Sequence, residues 1–127
     1  MGIADFLTAN TAKLKYSATV AAVVVDANGK IVDCRIDAID LTATIENGAV
    51  VASSDFKSKA EQGDAYGMVA YGGASAEWYV QAKTYAATAV GKTAADISSL
   101  ATEGVAGCTI AVDAYKAAIV EAVQYAR

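Results

Sequence analysis

Three aspartates, Asp33, Asp37 and Asp40, are the densest set of side chains in this sequence able to do acid and base work. Carboxylates are what remains for that role, because the 127 residues include no His. Its absence removes Ser-His-Asp and Cys-His catalysis along with the commonest transition-metal ligand. The aspartates lie in or just after a strand pattern whose polar side faces water, so they read first as a solvated face. A hard cation such as calcium could use them, but the Asp-x-Asn-x-Asn-Gly grammar is missing, and Asp26-Ala27-Asn28-Gly29 is more simply a turn. Cys34 and Cys108 lack metal-type spacing, which leaves two buried thiols or one disulfide.

A second group is aromatic. Tyr66, Tyr71, Trp78 and Tyr79 gather around Gly67, Gly72 and Gly73, where glycine lets a backbone approach and ring faces could stack a flat ligand. The competing reading makes Trp78 and Tyr85 core residues of a helix. The glycines follow neither Walker nor Rossmann spacing, and there is no nucleophile elbow. These observations predict a domain without a catalytic constellation of its own, not an enzyme.

The elements that must position these groups follow from periodicity. Ile3, Phe6, Leu7 and Leu14 share a face of a predicted helix over 2–14. β-Branched residues from Ser17 to Asp26 predict a strand, and Asn28-Gly29 a hairpin, since both residues tolerate positive φ. Val32, Cys34, Ile36 and Ala38 then alternate against Asp33, Arg35 and Asp37. Leu41, Ala43 and Ile45 repeat the alternation as a third strand, and Asn47-Gly48 turns it into a fourth, 49–52.

Beyond a connecting loop with one helical turn, the pattern becomes helical. Ser75 is placed to cap a helix bearing Trp78, Ala82, Tyr85 and Ala89, and Gly91 to end it. Thr93 and Asp96 form a capping box for a short helix with Ile97 and Leu100 on its buried side. Asp113 is placed to cap a last helix with Tyr115, Ile119, Ala122 and Ala126 in one stripe. The expected architecture is α+β: an antiparallel β-meander of about four strands packed against C-terminal helices, in a single domain over 1–127.

Charge and hydropathy narrow the partners. A net charge of −4 offers no basic surface to a phosphate backbone, so nucleic acid is not expected. The longest apolar run, Ala18 to Val25, is far shorter than the roughly 20 residues of a membrane span. The N-terminus has neither the basic nor the apolar region of a secretory signal.

The run from Val20 to Cys34 is followed in order by Phe56-Lys57-Ser58-Lys59, Tyr66-Gly67-Met68, Glu77-Trp78-Tyr79, Val90-Gly91-Lys92-Thr93 and Gly107-Cys108-Thr109-Ile110. This collinear set resembles the FMN-binding domain of Gram-positive cell-surface lipoproteins and, in a related form, of flavinylated respiratory subunits. In those subunits a threonine closing an Asp-Gly-x-Ser-Gly-Ala-Thr run receives FMN as a phosphoester from a separate flavin transferase. The resemblance implies that Gly104, Gly107 and Thr109 occupy that motif, while Glu103, Ala106 and Cys108 depart from it. It also implies FMN as cofactor, a redox partner protein, electron transfer as the activity and the cell surface as the location. Read from the residues alone, Thr109 is a β-branched position leading into the last helix. A structural or interaction domain that self-assembles as a homo-oligomer or binds a partner, without cofactor, is the alternative that the Ala-rich helices suggest.

Overall fold

The computed structural model describes residues 13–52, 57–100 and 105–126. The β-branched run of the N-terminal third forms a long strand, β1 (Lys13–Val25), which pairs antiparallel with an even longer one, β2 (Ile31–Glu46). A short third strand, β3 (Ala49–Ala52), pairs only with the end of β2, over 43–46. Among the described residues the sheet thus has three strands, in the order β1-β2-β3.

The α+β class is as expected, but the second and third predicted strands are one. No Gly, Pro or Asn interrupts Ile39-Asp40, and β1 is long enough to pair without a break from Lys13 opposite Thr44 to Val24 opposite Asp33. Ser17 Oγ donates to Asp40 Oδ1 at 2.7 Å, pinning the place where a turn was expected. The predicted helix over 2–14 falls mainly outside the described residues; Lys13 and Leu14 belong to β1.

The two Asn-Gly turns differ in mechanism. Asn47 and Gly48 both have positive φ, 51° and 77°, as a two-residue hairpin turn demands. In the first turn Gly29 alone is left-handed, and Asp26 organises the loop: its Oδ1 accepts from Asn28 N at 2.8 Å and Lys30 N at 3.0 Å. The register then slips, with Val24 opposite Asp33 but Val25 opposite Ile31. That bulge reverses one expectation, because Ile31 enters the core while Val32 is 56% exposed.

A one-turn helix, α1 (Lys59–Gln62), starts at a Ser58–Glu61 capping box and runs into a 3-10 turn, Gly63–Tyr66. Helix α2 (Trp78–Ala89) begins three residues after Ser75, its N-cap being Glu77, whose carboxylate is engaged elsewhere. The predicted Thr93–Asp96 box caps α3 (Ala94–Ser99), but Asp113 does not cap α4 (Asp113–Tyr125): the N-cap is Val112, without a side-chain cap, and Asp113 lies in the first turn, where its negative charge suits the helix dipole. The turn between α2 and α3 is tied to the sheet, with Gly91 N–H donating to Ile31 O at 2.7 Å and Ile31 N–H to Lys92 O at 2.9 Å.

One face of the sheet is covered. Cys34, Ile36 and Ala38 from β2 join Trp78, Ala82, Tyr85 and Ala89 of α2 and Tyr115 and Ile119 of α4, with Ala21, Val23 and Val25 packed against them. Since side chains alternate along a strand, these positions share one face of the β1–β2 pair. Small residues at 82, 86 and 89 let α2 lie close on β2. No helix among the described residues is long and apolar enough to cross a membrane.

Candidate functional site

The Gly107–Thr109 stretch is held by a residue that sequence reasoning missed. Gln81, on α2, is 1% exposed, and both ends of its side-chain amide are engaged. Nε2 donates to Ala76 O at 2.9 Å, while Oε1 accepts from Thr109 N at 2.7 Å, Thr109 Oγ1 at 3.0 Å and Ile110 N at 3.2 Å. A buried amide carbonyl serving three donors fixes both backbone and hydroxyl of the turn. Gly107, with φ 78°, bends the chain there, and Cys108 N–H donates to Val105 O at 3.1 Å. Thr109 itself lies on the surface. Gly104 is outside the described residues.

The aromatic residues do not form one platform. Trp78 is 3% exposed, its ring 5.7 Å from that of Tyr115, so it is packed within the fold and offers no open ring face. Tyr66 is half-buried beneath Lys59, whose Nζ stands 5.2 Å from its ring centre and 5.8 Å from that of Trp78. Tyr71 is 91% exposed at a loop tip, with its ring over Gly67. A Cβ on Gly67 would stand 2.5 Å from a Tyr71 ring carbon, which explains a glycine there as well as its φ of 80°.

Glu77 closes that loop. Its buried carboxylate accepts from Met68 N at 2.9 Å and Val69 N at 3.0 Å, so Tyr66-Gly67-Met68 and Glu77-Trp78-Tyr79 are two halves of one structural device. Such charge-assisted bonds to backbone amides are stronger than neutral ones. The Tyr79 hydroxyl donates to Asp64 at 3.0 Å on the same side.

Each aspartate of the acidic set has its own structural partner. Asp33 accepts from Cys34 N at 2.9 Å; Asp37 accepts from Ala38 N at 2.8 Å and Ala60 N at 3.1 Å. Both carboxylates thereby occupy amides on the stretch of β2 that β3 does not reach. Asp40 accepts from Ser17 and pairs with Lys15 at 3.5 Å and Lys59 at 3.6 Å. The Ser17 hydrogen bond, ahead of the two lysine charges, holds its carboxyl below the ordinary range. For Lys59, burial opposes the charge, but Tyr66, Asp40 and Tyr115 outweigh it and its pKa rises. Among the described residues no three His, Cys, Asp or Glu side chains converge into a metal-binding group.

The cysteines are both free thiols. Burial, reinforced by the Asp33 charge, pushes Cys34 up to about 11, and burial raises Cys108 as well. A groove of about 700 Å³ runs between β2 and α2, lined by Asp33, Arg35, Asp37, Tyr79 and Lys83 among others. Mixed charge and an open shape make it a surface channel and not an enclosed ligand cavity.

What this geometry can do chemically is narrow. It presents an exposed hydroxyl on an immobilised turn, and among the described residues no base is hydrogen-bonded to it. Comparison with known protein families, with curated proteins and with solved structures finds no match for the chain.

Proposed function

We propose that this chain is a non-catalytic carrier domain of the FMN-binding kind, with Thr109 as the residue that holds the cofactor and a separate protein as redox partner. The observation that carries the reading is the Gln81–Thr109 clamp. Gln81 supplies the acceptor that the Thr109 and Ile110 amides need and also fixes the Thr109 hydroxyl, the added constraint that suits a residue receiving a bulky group in one orientation. The same clamp distinguishes Thr109 from an ordinary residue at a helix entrance. When bound, the cofactor supplies the electron transfer. The chain's own contribution is to position the attachment point: Gly107 shapes the turn, and Gln81 holds the hydroxyl before the ester forms and the two backbone amides behind it afterwards, since the ester oxygen keeps no proton to donate.

Co-expression with a flavin transferase tests the covalent form. The expected product is yellow, heavier by one FMN, and colourless again in Thr109→Ala. A product of unchanged mass, together with no quenching of flavin fluorescence on titration with free FMN, would refute the proposal in both forms.

A further inference from the structure

The second face of the sheet has a different character from the first. β1 turns Tyr16, Ala18, Val20, Ala22 and Val24 toward it, five successive positions without a charge. Tyr16 is 62% exposed, Val20 52% and Val24 58%. Beside the stripe, β2 places Asp33, Arg35 and Asp37 in a row, and beyond them Ile39 and Leu41. The described helical residues that enter the core join the opposite face.

We propose that this outer face is an interface between two copies of the chain, packed sheet on sheet about a two-fold axis. Three features favour a second copy over a foreign partner. The row Ala18, Val20, Ala22, Val24 alternates small and large, so an identical row run antiparallel about a two-fold axis between Val20 and Ala22 sets each valine over an alanine. The flanking row alternates in sign, so that Arg35 of one copy meets an acid of the other, and the charged rim completes itself under two-fold symmetry. The dimensions suffice: 13 residues of β1 at about 3.3 Å each, over two strands, give about 400–500 Å² per copy. A pair then covers about 800–1,000 Å², at or below the low end of specific interfaces, which corresponds to a weak, reversible dimer.

Sedimentation velocity on the whole chain from about 1 µM to about 1 mM tests this. The expected result is a monomer converting to dimer within that range. Val20→Lys with Val24→Lys should raise the dimer dissociation constant at least about tenfold, because charge then stands at the centre of the stripe. Far-UV circular dichroism and the thermal midpoint of the diluted variant should match the parent, since both positions are outside the core. Arg35→Asp should weaken the dimer, because like charges then face each other across the axis. A parent that stays monomeric throughout overturns the proposal, whether or not it sediments with phospholipid vesicles. A dimer indifferent to the lysine pair places the interface elsewhere and overturns it too. None of these readouts depends on flavin.

Discussion

The two ends of β2 alternate apolar and polar residues equally well, yet they turn their apolar side chains in opposite directions. Near the first turn, Cys34, Ile36 and Ala38 point into the core under α2 and α4. Past Ala38 the parity of the sequence changes while the strand runs on, so Leu41, Ala43 and Ile45 emerge on the outer face and Asp40, Thr42 and Thr44 on the inner. At the inner face of that second end there is an ionic cluster, Asp40 with Ser17, Lys15 and Lys59. The difference teaches that alternation specifies a two-sided strand but not which side is covered. Coverage depends on where the helices reach, and here they reach the first end.

Substitutions can break this contrast. Trp78→Ala, under the covered end, should cost about 3–5 kcal/mol in urea unfolding, whereas Val20→Thr on the outer face of the monomer should stay within about 0.5 kcal/mol. Equal losses would mean that the outer face is a second core. Gln81→Ala should come next: it strips the acceptor from the Thr109 and Ile110 amides and should cost about 1–3 kcal/mol. Hydrogen exchange at those two amides should rise in step.

The turns offer a finer comparison. Asn47→Ala places a Cβ residue without a helpful side chain at φ 51° and should lose about 1 kcal/mol, while Asn28→Ala, with ordinary φ, should lose little. A loss at Asn28 as large as that at Asn47 would contradict the role given to Asp26.

Two pH effects are smaller still. Asp40 titrates lower in the folded chain than in the unfolded one, so its contribution is present above the unfolded pKa and is lost as pH falls through the folded value. Asp40→Asn should therefore flatten the acid limb of the stability profile relative to the parent. Cys34 has the opposite sign. Its folded pKa, raised from 9.0 to about 11, favours the native state below the unfolded value and withdraws that support as pH rises through the folded one. Iodoacetamide at mildly alkaline pH should label Cys108, which is partly exposed, well before Cys34.

Much of the scaffold was legible from local rules. The Thr93–Asp96 capping box, the Asn47-Gly48 hairpin and the buried stripe Trp78, Ala82, Tyr85 and Ala89 involve neighbours a few residues apart, so local pattern determines them. The merged strand was less accessible, because whether Ile39-Asp40 turns or continues depends on β1, some twenty residues earlier, offering a partner for every position. The candidate site lay further out of reach. Its motif, Gly107 and Thr109, could be marked in the sequence, but the residue that holds it, Gln81, sits 28 positions away in an apolar helical stripe with nothing to mark it.

By itself the sequence determined the class of the domain, the absence of His chemistry, the capping of its short helix and the alternation of its strands, all consequences of side-chain type and short spacing. Tertiary structure alone decided which face of the sheet is covered, that Glu77 closes the Met68 loop and that Gln81 clamps Thr109. Each of these depends on a polar or apolar group finding its partner across the fold, and long-range partners are chosen by packing geometry, which no local pattern records.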